Sequence, residues 1–344
     1  MPQVEKEELL LASLNRQFFF SKGNRLDIVS ALCGLQAQFA NNPGHALRIR
    51  AHDFHPDEWR RDLIKTWTFR HTLHAIRRDE ASLFLSAQGI PETWDDRWGI
   101  HRRHKPKWTA RLHEWIRSGI TGREQLKAKC RERGMSAKMM ESVFHGWGGL
   151  LKEMSRRGLV AYQPGTGKHF VALDDFVPMD RDAARSILME RYFRNLGPAT
   201  LQDYAVFSGL NMKTVLALLH KHPLPLKSVH CGGVEYLYLG EWDVSRSIPP
   251  CLFLAGFDQL ILAYRDRSRL LDDIHKPDVV TNTGIIHPTV LIDGRLKAKW
   301  KKDGGVLRIT PFAKLTKTAR KRIAAFGGKL FGKDVSEVCF SDDS

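Results

Sequence analysis

Helical periodicity dominates the start of the chain. In Leu26-Asp27-Ile28-Val29-Ser30-Ala31-Leu32-Cys33-Gly34-Leu35 the apolar residues recur three and four apart, and Ile28, Leu32, Leu35 and Phe39 form one narrow stripe. A helix continued to Phe39, at about 100° per residue, sets Gln36 and Gln38 on opposite shoulders of that stripe. Asn41-Asn42-Pro43-Gly44 predicts an abrupt stop, because the residue before a proline avoids the helical region. The two amides are therefore expected in a last turn, beside carbonyls that lack an intrahelical partner.

The period then changes. Lys65-Thr66-Trp67-Thr68-Phe69-Arg70-His71-Thr72-Leu73-His74 alternates large apolar and polar side chains, which predicts a short strand pair. Residues 94–108 interleave Trp94, Trp98 and Trp108 with Arg97, Arg102, Arg103 and Lys105; so much charge argues for a basic arm rather than core. Thr121-Gly122-Arg123-Glu124 has the spacing of a capping box, and helices are expected from there to Arg157. Two short apolar runs, 158–162 and 169–173, flank Pro164-Gly165-Thr166-Gly167-Lys168 and predict a hairpin. A phosphate-binding loop is excluded there: Tyr162 stands where the first glycine is needed, and His169 where Ser or Thr must follow the lysine.

The same plan recurs from residue 179. Thr200-Leu201-Gln202-Asp203 starts a short helix, Ser208-Gly209-Leu210 turns, and Asn211 caps the next helix; Ala205, Gly209, Val215 and Leu218 fill helix-turn-helix positions. A hairpin over 229–238 turns at Gly232-Gly233. From about residue 246 three strand signals alternate with Asp293-Gly294 and Asp303-Gly304-Gly305, and residues 316–331 make a basic helix or tail. The expected architecture is α+β. Three tandem winged-helix domains (1–108, 109–178 and 179–245) precede a C-terminal β-rich module with a basic tail, 246–344.

Charge narrows the partner. With 54 Lys+Arg against 38 Asp+Glu, a net charge of +16 and a pI near 9.8, the chain suits a polyanion, because each neutralised phosphate releases condensed counterions. Nucleic acid fits better than a membrane, since no apolar stretch approaches about 20 residues. Five scattered cysteines without a CxxC support neither a zinc module nor a disulfide framework, so no metal or cofactor is expected and a reducing cytoplasm fits best. Phosphate contacts are expected from Arg48 and Arg50 beside the amide pair, from Arg102, Arg103 and Lys105 of the arm, and from Lys168 and Lys213. Lys297, Lys299 and Lys301, alternating about Trp300, form a further set, although lysines on a sheet edge also merely block aggregation.

Several motifs together carry a family resemblance. They are Leu35-Gln36-Ala37-Gln38 with Asn42-Pro43, Arg70-His71-Thr72-Leu73-His74, Ala255-Gly256-Phe257-Asp258, Tyr264-Arg265-Asp266-Arg267, and Val290-Leu291-Ile292-Asp293-Gly294-Arg295 with Trp300 and Pro311-Phe312. In order and spacing, over nearly the full length, they resemble the AlkZ/YcaQ-type winged-helix DNA glycosylases. The resemblance implies a concave arrangement of three winged helices and excision of alkylated purines, in some members from interstrand crosslinks. It places Gln36 and Gln38 on the Gln-apolar-Gln functional motif, where relatives carry an acid at the second position. Arg70, Arg265 and Arg267 become candidate DNA contacts, and His74 by resemblance a candidate cleft residue. Asp258, following the apolar Phe253-Leu254-Ala255-Gly256-Phe257, is a candidate catalytic carboxylate in the cleft, with a structural partnership to Arg265 or Arg267 the favoured alternative. Two departures stand out, Gln259 where proline is frequent and His71 where a smaller residue is usual.

The chemistry implied needs no general acid. An N7- or N3-alkylated purine carries positive charge and leaves as a neutral base, so the demand is one positioned water and stabilisation of a sugar cation. The expected activity is therefore a monofunctional DNA glycosylase, monomeric and nucleoid-associated in the cytoplasm, acting on double-stranded DNA with alkylated or crosslinked bases. The alternative is a non-catalytic winged-helix DNA-binding regulator or scaffold.

Overall fold

The computed structural model describes residues 2–95, 100–146, 149–165 and 167–341. The chain is mixed α+β and divides into two compact units. One comprises residues 1–36, 42–59 and 188–344, the other 37–41 and 60–187.

In the first unit the opening apolar run does not stay helical. The helix is Arg25–Ala31, with Asn24 as its side-chain cap; Cys33 (φ 56°) and Gly34 (φ 82°) then turn left-handed, and Leu35–Gln36 is extended. Nor does Asn41-Asn42-Pro43-Gly44 stop a helix: Asn42–Arg50 begins one there, with proline in the first turn, where its missing N–H costs nothing. Phe39, assigned to the apolar stripe, is 46% exposed.

Later in this unit the local signals hold. Thr200 and Asp203 cap each other's backbone N–H groups at 3.0 and 2.9 Å, Gly209 is left-handed (φ 75°), and Asn211 accepts from the Thr214 amide at 2.9 Å. Strands Lys227–Cys231 and Val234–Tyr238 pair across Gly232-Gly233, both at positive φ as a tight primed turn requires. The C-terminal sheet runs Cys251–Leu254, Thr289–Ile292, Arg295–Asp303 and Val306–Pro311 as antiparallel neighbours, and Glu337–Phe340 adds in parallel at the edge. Within Arg295–Asp303 the period of two buries Leu296, Ala298 and Trp300 while the lysines take the other face. The basic segment is a helix, Lys317–Phe331. It turns Ala319, Ile323, Gly327 and Phe331 inward, and at Gly327 a Cβ would stand 2.6 Å from Leu307.

In the second unit Leu63–Trp67 and Leu73–Arg77 are the expected strand pair, and the sheet continues from Leu63–Trp67 to Val160–Tyr162 and Phe170–Ala172. Helices Lys105–Arg117, Arg123–Glu132, Ala137–Val143 and Gly149–Arg156 enclose Leu112, Leu126, Cys130, Val143 and Met154. Two expectations fail here. The basic arm is partly core: Ile100 and Trp108 are buried, and Lys105, 1% exposed, pairs with Glu153. Its segment 96–99 lies outside the described residues. The capping box is also displaced, because Gly122 is the N-cap and Gln125 Oε1 accepts from its amide at 3.1 Å.

Candidate functional site

The Gln-Ala-Gln segment spans the division between the units, Gln36 closing one stretch and Ala37 opening the next. Gln36 is 5% exposed, whereas Gln38 is exposed in a bend. Ala37 donates its amide to the Leu73 carbonyl at 2.8 Å, which ties the segment entering the second unit to strand Leu73–Arg77. Gln36 thus ends an extended strand and Gln38 lies in the bend that follows, and neither is in a helical turn.

Next to Leu73 lies a strained loop. Arg70 (φ 52°) and His71 (φ 56°) are consecutive left-handed residues without glycine, a conformation that costs about 1–2 kcal/mol per residue. Positive φ at position 71 is a physical reason for a smaller residue there. The loop is held by Thr68 N–H to Thr72 O at 3.0 Å, His71 N–H to Thr68 O at 3.1 Å, and the Thr72 amide and hydroxyl to Phe69 O, both at 3.0 Å. Thr68 Oγ1 also lies 2.8 Å from His74 Nδ1, while His74 Nε2 is buried without a hydrogen-bond partner. Burial first, and the Arg70 charge second, push the His74 imidazole down to about 3, so it is neutral at physiological pH. The ring lies edge-on to Phe69 and is fully buried, not part of an open surface.

Asp258 is not a cleft carboxylate. It is 2% exposed and forms a bidentate ion pair with Arg50, at 2.9 and 2.6 Å. It further accepts from the Ala255 and Leu260 amides, at 3.1 and 3.0 Å, capping the short helix Gln259–Leu262. Its partner is Arg50 rather than Arg265 or Arg267. Arg50 for its part donates Nε to Gln17 O and lies 4.2 Å over the Phe19 ring. Nothing of either group is left for substrate. Asn42 belongs to the same packing, because a Cβ on Gly256 would come within 2.8 Å of its Oδ1.

The candidate DNA contacts divide. Arg50, Lys105 and Trp300 are buried, and the Trp300 indole N–H donates to Leu254 O at 2.9 Å, so none of the three can reach a phosphate. Arg48 is half-buried, paired with Asp334 and stacked on Phe54 and Phe331. Arg102, Arg103, Lys168, Lys213, Arg265 and Lys301 are exposed; Arg70, Arg267, Lys297 and Lys299 are half-buried, with Arg267 Nε bonded to Ile261 O. Burial lowers the Arg70 guanidinium to about 10, still cationic near neutrality.

Sequence reasoning missed what Gln259 does. Its Nε2 donates to Leu32 O at 3.1 Å and to Gly34 O at 2.8 Å, closing the turn that precedes Gln36. The sole sequence signal was its departure from the frequent proline; the acceptors lie more than 220 residues away.

The family model described as DNA glycosylase AlkZ-like matches residues 29–331. An "Interstrand DNA cross-link repair glycosylase" of Streptomyces sahachiroi is 27% identical over 314 residues, covering 83% of this chain and 84% of that one. The solved structure of Streptomyces sahachiroi DNA glycosylase AlkZ superposes with a TM-score of 0.78 at 24% identity, over 98% of this chain and all of that one, and so shares the fold. With the family model spanning the Gln-Ala-Gln segment, the His74 strand and the Arg50–Asp258 pair alike, the chain belongs to the AlkZ-like DNA glycosylase family.

Proposed function

We propose that this protein is a monofunctional DNA glycosylase that hydrolyses the N-glycosidic bond of cationic alkylated purines, in duplex DNA and at interstrand crosslinks. It does so as a monomer built from three winged-helix domains around a concave DNA-binding surface. The observation that carries the reading is that Gln38 is exposed, whereas Asp258 and His74, the titratable candidate residues, are buried. Gln38 is an exposed, neutral side chain, while Asp258 is consumed by Arg50 and His74 is buried and uncharged. A base that is already cationic before it departs leaves as a neutral purine and needs no proton donor. In this mechanism Gln38 Oε1 accepts a hydrogen bond from the attacking water and aims it at C1′ of the sugar. Gln36 holds the sugar or its phosphate, and the two amide dipoles stabilise the sugar cation as the C1′–N bond breaks and the neutral purine departs; once the water oxygen has bonded to C1′, its proton is released to solvent. Exposed Arg102, Arg103, Lys168, Lys213, Arg265 and Lys301 supply phosphate contacts.

The test is incubation with a duplex carrying N7-methylguanine, followed by assay for abasic sites. Gln38→Ala is expected to lose about 10²-fold or more of the excision rate while keeping duplex affinity. Tight duplex binding with no base release in the unaltered protein would instead make it a DNA-binding regulator.

A further inference from the structure

We infer that Gln259 is a positioning residue for Gln36, acting through the turn that delivers the Gln-Ala-Gln segment; this rests on the glycosylase reading above. Within that turn the N–H groups are satisfied locally. Leu32 donates to Ile28 O at 3.0 Å, Cys33 to Ser30 O at 3.0 Å and Gly34 to Val29 O at 2.8 Å. The carbonyls of Leu32 and Gly34 face the other way, and both receive the side-chain amide of Gln259. Because each partner is a carbonyl and can only accept, the amide orientation follows from chemistry. Leu32 and Cys33 are fully buried, as is Gly34, so water cannot take the place of the amide.

Gln259 is itself held from behind. It is the first residue of a helix whose cap, Asp258, is locked by Arg50, and its side chain is 2% exposed. Its Oε1 is buried without a hydrogen-bond partner. An unsatisfied buried acceptor is costly, and an apolar residue of equal volume would avoid that cost. Holding two carbonyls of a left-handed turn gives a reason to keep the amide. Gln36 comes two residues after Gly34 and is 5% exposed, so a shift of the turn has no flexible loop in which to dissipate before reaching it. Displacements of about 1 Å suffice to slow chemistry strongly.

The experiment uses two variants in the full chain. Gln259→Met keeps the volume and removes both donors; Gln259→Pro removes the amide and suits the first helical position, so the fold tolerates it. Single-turnover excision of N7-methylguanine from a duplex, with enzyme in excess, is measured beside the Kd for that duplex and the thermal unfolding midpoint. Both variants are expected to slow excision about 10- to 100-fold with Kd unchanged within about twofold. In a Gln36→Ala background, Gln259→Met should add no more than about a twofold loss, because its route to the chemistry is already gone. Unchanged rates in both variants, or the same loss with and without Gln36, would overturn the inference and leave Gln259 a packing residue. If the unaltered protein excises nothing, the glycosylase reading falls and takes this one with it. If Gln38→Ala abolishes excision while the Gln259 variants match wild type, the positioning role alone is wrong.

Discussion

Two helices of the first unit end in left-handed turns that are held in opposite ways. After Leu201–Ser208, the turn is closed by groups a few residues away: Gly209 supplies the positive φ, Ser208 Oγ accepts from the Leu210 amide, and Asn211 caps the helix Met212–Lys221. After Arg25–Ala31, the turn at Cys33-Gly34 is closed from across the sequence by Gln259, behind which stand Asp258 and Arg50. The first turn is a property of its own decapeptide. The second exists once the tertiary structure has formed, and that makes it adjustable from a distance.

The contrast can be broken most violently at Arg50–Asp258. Asp258→Ala leaves a fully buried guanidinium without its counter-charge and should cost about 3–5 kcal/mol in denaturant unfolding. The double variant Arg50→Met/Asp258→Leu removes both charges and should recover much of that loss. Equal destabilisation in the single and double variants would mean that the pair matters for shape rather than charge.

Acid sharpens the same contrast. His45, on the helix that carries Arg50, is pushed down to about 4 by burial and by Arg48 and Lys302, and His74 to about 3. The unfolded chain protonates both near 6.5 and so takes up protons before the native state does. Their contribution is therefore complete above pH 6.5 and is lost as pH falls towards 4 and 3, by about 1.4 kcal/mol per pH unit for each histidine. Denaturant titrations at pH 7 and pH 5 measure it, and His74→Gln should flatten the dependence by its own share. A slope unaltered by that substitution would show that His74 is already charged in the folded protein.

The smallest effect belongs to the local turn. Gly209→Ala places a Cβ at φ 75° and should cost about 1–2 kcal/mol, with the single-turnover excision rate of the folded protein unchanged. A tenfold slower excision in this variant would erase the distinction between the two turns.

Legibility in the sequence obeys the same division. The mutual caps of Thr200 and Asp203, the Gly232-Gly233 hairpin and the alternation through Trp300 were readable because each is closed by residues within a few positions of one another. The alternation also buried Trp300, so the aromatic among the lysines that invited a DNA-contact reading is core. Lys105 and Arg50 misled in the same way. A cation in sequence carries no sign of whether a distant carboxylate, here Glu153 or Asp258, will remove it from the surface. Among the described residues no helix is long and apolar enough to cross a membrane.

By itself, then, the sequence determined the order of helices and hairpins, the polyanion-seeking charge and the two amides that the family motif singles out. All of these depend on short-range sterics, capping or composition. Whether those amides lie on a helix or on a strand and the bend after it, and which cations reach the surface, was decided by tertiary structure. Apolar periodicity cannot register a pair of left-handed residues, and a side-chain amide 225 residues away from Gly34 leaves no trace in a local window.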